Sequence, residues 1–301
     1  MKLQKRILTF AAAAMLALSM ALPCAAAESA MDTLCAPSGI TSMPDGSFLV
    51  TDTYNKVVWR VEGRTSTVYG GVATVGDLYG QPIGGYNDSA LNDSYFKEPW
   101  AVAPFLDGYA VSDAANNVVR FIAHDKNKVQ TATGQRAKGS MNGYGIEATF
   151  NRPTGLATDE AGNLYIADTG NNRIRKLTNI GTITTYLENL NEPTGLCWKN
   201  GSLYICESGA NRILRAENGS VTVVAGSGGE ALADGSAEQA QFHDPQGVTV
   251  ADDGIIYVST IAVCDQNAMD PSPVAPVGLM VKGDRLYVCD NFSRAVLTYP
   301  R

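Results

Sequence analysis

Residues 153–177 read PTGLATDEAGNLYIADTGNNRIRKL, and this stretch decides the fold. A short apolar run leads to Gly162-Asn163, a pair that supplies the positive φ angles of a tight hairpin. A second apolar run ends on Asp168, whose carboxylate can accept hydrogen bonds from the backbone of the turn after it. A third run follows at 173–177. The stretch therefore predicts three short antiparallel strands joined by tight turns.

The same pattern occurs six times along the chain. The copies begin near residues 36, 98, 152, 192, 244 and 275, and each starts with Pro, one variable residue and, in all but the second copy, Gly. Short strands, turn signals between them and the spacing of these starting points favour the blades of a β-propeller over a sandwich. We therefore predict an all-β fold, a six-bladed β-propeller.

The connections between the copies carry a second signature. Three of them, 88–96, 142–150 and 234–242, align without a gap and end on a phenylalanine three residues before the next proline. Together with Gly-Asn-Leu-Tyr-x-Ala-Asp-x-x-Asn-x-Arg-Ile at 162–174, this combination resembles the NHL-repeat family over nearly all of 36–301. We predict that the three rings, which could alternatively contact a ligand, fill the gaps between neighbouring blades. They are Phe96, Phe150 and Phe242.

Two copies depart from the pattern. The fifth has Thr260 where the others have an acid, and Pro276 follows it too closely for a complete blade, so we expect a truncated blade with 261–265 as its last strand. The sixth ends at Arg301, just after its third strand. Because an open ring leaves strand edges exposed, residues 29–35 are predicted to add the missing outer strand and close the ring.

The segment 1–27 has the pattern of a secretory signal peptide. Three basic residues precede an apolar run over 7–22, and 25–27 is a small-residue exit. Cleavage after Ala27 would leave one propeller domain, 28–301, secreted or held at a bacterial cell surface. An uncleaved membrane anchor and a lipoprotein modified at Cys24 are the alternatives.

Charge and cysteine content limit the partners and the cross-links. Removal of the three basic residues of the signal lowers the formal net charge from −7 to −10, and an acidic surface repels nucleic acid. Five cysteines would remain, an odd number. Cys206 and Cys289 align with Thr, Ser or Ala in other copies, which indicates small buried side chains. Cys35 and Cys264 are the one plausible disulfide pair.

Residues at the start of the inner strands and in the loops after the second strands should share one face. Hydroxyls, amides and aromatic rings on this face suit recognition of a peptide or a sugar, although the asparagines could instead stabilise turns. Trp100 is the most informative member, because the other copies have small or medium residues there. The predicted ligand-binding rim consists of Trp100, Tyr54, Asn55, Asn116, Thr154, Asn171, Thr194, Asn211, Gln246 and Phe292.

Histidine content limits the enzymatic hypotheses. The resemblance extends to lyases that depend on one or several histidines, but this chain has only His124, expected on the opposite face, and His243, which can reach the rim. A three-histidine zinc site is excluded by count, and no nucleophile-elbow pattern occurs. No cofactor is predicted, but a Ca²⁺ or Mg²⁺ site stays open because acids that include Asp88, Asp234, Asp252 and Asp253 are oxygen donors.

These observations lead to three functional hypotheses. The first is a non-catalytic extracellular binding propeller, not an enzyme, that recognises a protein, peptide or glycan through one face and the central opening. The alternative is a divalent-metal-dependent lyase or hydrolase of the NHL-propeller type. The third is a structural or assembly module.

Overall fold

The computed structural model describes residues 7–11, 34–63, 65–73, 76–124, 127–230, 236–260, 276–291 and 294–301. Within these ranges the chain is strand and loop, with only short 3-10 helices in the connections. The helices are Leu91–Asp93, Ala114–Asn116, Gly145–Glu147, Thr169–Asn171 and Ser208–Ala210. The predicted all-β class is confirmed. None of the helices in the described part of the chain is long and apolar enough to cross a membrane.

The strands form sheets that follow the sequence copies. Strand β1 is Ile7–Ala11. The first sheet is β2 (Pro37–Ser42), β3 (Phe48–Asp52), β4 (Val57–Glu62) and β5 (Thr65–Gly70). The second is β6 (Pro99–Phe105), β7 (Gly108–Asp113), β8 (Val118–Ala123) and β9 (Val129–Thr133). The third is β10 (Gly143–Tyr144), β11 (Pro153–Thr158), β12 (Leu164–Asp168), β13 (Arg173–Leu177) and β14 (Thr182–Leu187), with β10 paired to β14.

The remaining sheets follow the same chain order. The fourth is β15 (Pro193–Lys199), β16 (Ser202–Glu207), β17 (Arg212–Glu217) and β18 (Ser220–Ala225). The fifth is the hairpin of β19 (Pro245–Val250) and β20 (Ile256–Thr260), with β1 added parallel to β20. The sixth is β21 (Pro276–Lys282), β22 (Arg285–Asp290) and β23 (Ala295–Pro300).

One register recurs in these sheets because the sequence pattern recurs. The proline that begins each inner strand pairs with the last residue of the second strand, as in Pro153 with Asp168 and Pro193 with Glu207. A register shift follows the proline, where the variable residue and the glycine stand. We refer to the face at which the inner strands begin, at Pro37, Pro99, Pro153, Pro193, Pro245 and Pro276, as the proline face.

The inner strands contact one another in sequence order. Strand β2 contacts β6, the contacts continue through β11, β15, β19 and β21, and β21 contacts β2. The glycine after the variable residue allows this approach. A Cβ on Gly278 would lie 2.6 Å from the carbonyl oxygen of Ser38, and one on Gly39 would lie 2.8 Å from that of Trp100. The arrangement is propeller-like, with the inner strands innermost.

Substitution of one inner-strand glycine tests this packing. We expect Gly278→Ala to lower the free energy of unfolding by about 1–3 kcal/mol, because the backbone at Ser38 must shift to admit the methyl group. Gly85→Ala is the matched control, since its Cβ would meet Tyr95 Cβ at 3.4 Å, an ordinary contact. Urea denaturation of both variants measures the difference, and equal stabilities would contradict the packing.

Large apolar side chains fill the spaces between neighbouring sheets. Phe96, Phe150 and Phe242 have no exposed surface, and each packs with strands of two successive sheets, which confirms their predicted role as fillers. Leu34 and Leu190, which the sequence analysis did not single out, also stand three residues before a proline. Both pack into the clusters at their own junctions.

The predictions for the fifth copy and for the closure of the ring are tested only in part, because several of their residues lie outside the described ranges. Five sheets contain antiparallel runs of three or more strands, whereas the described part of the fifth copy contributes the β19–β20 hairpin to its sheet. Its expected last strand, 261–265, lies outside the described residues, as do 29–33 of the segment expected to close the ring. Leu34 and Cys35 are not in a strand, and the amide of Cys35 donates to the carboxylate of Asp52, the last residue of β3.

Two cysteines occupy the small buried position that the repeat alignment predicts. Cys206 and Cys289 are fully buried free thiols, and burial raises the pKa of both far above its ordinary value. We expect neither thiol to react with a thiolate-selective reagent at pH 8 until the protein is unfolded, as peptide mass spectrometry of alkylated protein would reveal. Rapid native labelling of either would contradict the burial. Cys264 lies outside the described residues, so its pairing with Cys35 stays a prediction.

Candidate active site on the proline face

Buried acids at the ends of the second strands organise the proline face. Asp113 accepts hydrogen bonds from the amides of Lys97 and Glu98 at 3.0 and 2.9 Å and from Asn116 Nδ2 at 2.7 Å. Burial raises the pKa of Asp113, and these hydrogen bonds together with Arg120 oppose the rise. The acid thus fixes both the start of the inner strand and the loop after the second strand.

Two buried arginines attach the long connections to this framework. Arg120 lies 3.3 Å from Asp113 Oδ2 and 2.6 Å from Asp88 Oδ1. Arg175 lies 3.0 Å from Asp168 Oδ2 and donates to Asn142 Oδ1 at 2.8 Å. Both guanidinium groups are fully buried. Asp88 and Asn142, the first residues of the connections 88–96 and 142–150, are therefore held on the sheets by these arginines.

Many of the predicted rim residues are engaged inside the protein. Thr154 and Thr194 are buried, and Thr194 Oγ1 donates to the carbonyl of Pro245 in the next copy at 3.0 Å. Asn55, like Asn116, is buried against its acid. Asn171 donates to Asp168 Oδ2 at 2.9 Å.

Of two further rim residues, one stands at a different position of the repeat than expected, and the other lies outside the described residues. Asn211 stands one place later in its copy than Asn171 does, has a left-handed φ of 50°, and accepts from the amide of Asp244. Phe292 lies outside the described residues. Ligand binding by the rim stays a prediction.

The accessible part of the rim contains charged and aromatic groups. Arg152 lies over the ring of Trp100 at 5.5 Å and pairs with Glu98 at 2.7 Å. Farther along the same face, Gln246 Nε2 donates to Asp244 Oδ1 at 2.6 Å. These partly exposed side chains offer a guanidinium, an indole, an amide and carboxylates to a bound molecule.

Tyr54 is the most exposed of the predicted rim residues. Its hydroxyl donates to Gln81 Oε1 at 2.5 Å, which joins the first sheet to the connection that follows it. At the tip of that connection, Leu78 and Tyr79 are almost fully exposed.

His243 and Glu230 form a pair where the chain enters the fifth sheet. The buried Nδ1 atom of His243 lies 3.2 Å from Glu230 Oε1 but forms no hydrogen bond with a described residue, and the imidazole side chain is 27 % exposed. The amide of His243 donates to Thr260 Oγ1 at 3.0 Å, so Thr260 takes the place of the missing acid and fixes the backbone. His124 lies on the opposite face, where its amide donates to the carbonyl of Asp107.

Glu230 is not among the predicted site residues, although the alignment of the connections contains the signal. Glu230 stands as far before Phe242 as Lys138 stands before Phe150, and each of the two pairs forms a parallel bridge. An alignment extended upstream of 142 and 234 would have placed Glu230 next to the segment that carries His243.

The predicted calcium or magnesium site finds no support in these residues. Over the described part of the chain, no three His, Cys, Asp or Glu side chains are grouped to hold a metal ion. Asp88 is paired with Arg120, Asp252 with Lys199 and Asp253 with Arg301. Asp234 lies outside the described residues. The described acids therefore do not form a site for a resident metal.

Comparison with known proteins identifies the repeat. The family model described as NHL repeat matches residues 150–177, the stretch that contains β11, β12 and β13. Residues 150–177 are thus an NHL repeat, in a chain whose sheets form a propeller-like arrangement. A comparison with curated proteins gives no match.

Solved structures with the same fold include proteins named as enzymes. Virginiamycin B lyase from Staphylococcus aureus is 15 % identical, with a TM-score of 0.54 over 87 % of this chain and 94 % of that one. A catalytically inactive histidine-to-alanine variant of that lyase, with quinupristin, is 15 % identical, with a TM-score of 0.53 over 88 % of this chain and 94 % of that one. A putative gluconolactonase is 12 % identical, with a TM-score of 0.56 over 86 % of this chain and 87 % of that one.

These structures overturn the prediction that the protein is not an enzyme. The prediction rested on the lack of a three-histidine set and of a nucleophile elbow, with His243 the one histidine expected at the rim. Substitution of a single histidine inactivates the S. aureus lyase, so a count of two histidines in this NHL propeller excludes nothing.

Proposed function

We propose that this NHL propeller is a lyase or hydrolase in which His243 transfers a proton at the proline face. The contact of His243 Nδ1 with Glu230 Oε1 carries the proposal. The negative charge of Glu230, 3.2 Å from Nδ1, favours a proton on that nitrogen, and Nε2 is then the base. The partial exposure of the ring allows a substrate to approach it.

The neighbouring side chains suit two related reactions. As a lyase, His243 would take a proton from a carbon next to a carbonyl group, and the leaving group would then depart. As a hydrolase, it would take a proton from the attacking water. Gln246 and Asp244 follow His243 closely and can hydrogen-bond a substrate, while at the second and third sheets of the same face Trp100 and Arg152 offer a stacking surface and a positive charge.

The fold similarity supports a reaction of this kind. Structures of the same fold include a lyase that one histidine substitution inactivates, together with a putative gluconolactonase. The lyase structure that contains quinupristin motivates a peptide-like substrate for the proline face of this chain.

The proposal includes a ring of six blades and export from the cell. The contacts of β21 with both β19 and β2 support a closed ring in which the β19–β20 hairpin is the short fifth blade. The pattern of residues 1–27 supports secretion, and cleavage after Ala27 would remove β1 from the edge of β20.

Turnover of two probes tests the proposed function. The protein is incubated with quinupristin and, separately, with gluconolactone, and the products are weighed by mass spectrometry. Ring opening by elimination leaves the mass unchanged and creates a double bond, whereas hydrolysis adds one water. We expect turnover of at least one probe above the protein-free rate. No turnover of either probe would count against the proposal.

A further inference from the structure

Among the described residues, no segment covers the outer edge of the fourth sheet as the preceding connections cover the second and third. In the second sheet the preceding connection reaches the outer strand, where Asp88 Oδ2 accepts from the amide of Thr131. In the third sheet β10 pairs antiparallel with β14. The connection into the fourth sheet, 188–192, is short and forms no strand on β18.

On the outer two strands, the fourth sheet also differs in sequence from the second and third. In the second and third sheets, Arg120 pairs across the strands with Thr131, and Arg175 with Thr185. The corresponding pair in the fourth sheet is Leu214 with Val223. The polar groups that bind a covering connection are thus replaced by apolar ones.

The apolar replacements lie at exposed positions. Val223 is 50 % exposed, and Val221 is 43 % exposed at the place where Val129 and Ile183 are covered and buried. Exposed side chains of this kind contribute little to the packing of the chain itself. A row of apolar residues along an open strand edge is instead typical of a surface that binds another strand.

A groove runs along this edge between the third and fourth sheets. It has a volume of about 270 Å³, with Leu190 and Leu214 among the residues that line it, alongside Val221 and Val223. Two acids also line it. Glu207 is paired with Arg212 at 2.5 Å, whereas Glu188 is exposed and forms no ion pair with a described residue. Leucine and valine side chains thus line one part of the groove, and Glu188, Asn189 and the Glu207–Arg212 pair line the rest.

We propose that the groove binds an extended peptide that adds an antiparallel strand to β18. Alternate apolar side chains of the peptide contact Val221 and Val223, and a basic residue lies beside Glu188. Pairing of β10 with β14, Gly143 opposite Ile183, is the precedent within this chain. Addition of a strand provides affinity through main-chain hydrogen bonds and specificity through alternate side chains. This site is independent of His243 and of the proposed reaction.

A designed peptide tests the groove. The probe is a fluorescein-labelled peptide of alternating valine and serine with a terminal lysine, and its binding to the full chain is followed by fluorescence anisotropy. We expect saturable binding that Val223→Lys weakens at least about tenfold. Thr222→Lys is the matched control, because it adds the same charge to the same strand with the side chain on the other face. Replacement of the peptide lysine by aspartate should also weaken binding.

Three results would overturn the proposal: absence of saturable binding, equal loss with the two lysine variants, and a dimer that Val223→Lys dissociates in light scattering. The last would assign the edge to a second copy of the chain. Thermal melting establishes that both variants fold. If Val223→Lys does not fold, Val223→Thr introduces the residue found at this place in the second and third sheets.

Discussion

Replacement of His243 by alanine is expected to lower kcat for the turned-over probe by about 10²–10⁴-fold, the usual contribution of a positioned acid or base. The fold should survive, because the amide of His243, and not its ring, bonds to Thr260. Steady-state kinetics on wild type and variant provide the measurement. KM should change less than kcat, since the imidazole acts on the proton being transferred and not on the bulk of the substrate.

Two further variants separate catalysis from structure. Glu230→Gln keeps the size of the side chain but removes the charge next to His243 Nδ1, so we expect an intermediate loss of kcat. His124→Ala removes the other histidine, on the opposite face, and should leave kcat unchanged. Equal losses for the two histidine variants would contradict a role for His243 in proton transfer.

Arg175→Leu is expected to lower the free energy of unfolding by about 3–5 kcal/mol, the cost of breaking a buried ion pair on one side. The substitution leaves Asp168 buried without its cation. It also removes the hydrogen bonds to the carbonyl groups of Met141 and Thr149, at 2.7 and 3.0 Å, that hold the connection on the third sheet. The contact of the guanidinium with Phe150, at 5.1 Å, is lost as well.

Chemical denaturation followed by tryptophan fluorescence gives the size of this effect. Arg60→Leu is the control: Arg60 pairs with Asp45 at an exposed position, where such pairs contribute about 0–1 kcal/mol. Leu214 occupies the place of Arg175 in the fourth sheet, so leucine itself fits the strand. A loss below about 1 kcal/mol for Arg175→Leu would mean that the arginine does not anchor the connection.

The fold could be predicted from the sequence because its determinants are local and repeated. The hairpin turns, the strand-ending acids and the proline before each inner strand lie within a single copy, and the copies mark one another. Phe96 and its two equivalents were interpretable for the same reason: their distance from the next proline is constant. The closure of the ring was less predictable, because it depends on segments outside the repeat.

The candidate site could be predicted only in part. The side chains of the rim depend on what surrounds them, and a single copy does not reveal that Thr194 bonds to the next sheet or that Asn55 is held by Asp52. The pairing of Glu230 with His243 joins residues at opposite ends of an irregular connection. A pattern of strands and turns contains no information about the path of that connection.

A comparison of the rates of probe turnover by wild type and His243→Ala is the most direct test of proton transfer by His243. Mass spectrometry of quinupristin and gluconolactone incubated with equal concentrations of each protein gives both rates and both product masses. If His243 transfers the proton, wild type converts at least one probe and conversion by His243→Ala falls toward the protein-free rate. Equal conversion by the two proteins, or none by wild type, would contradict it.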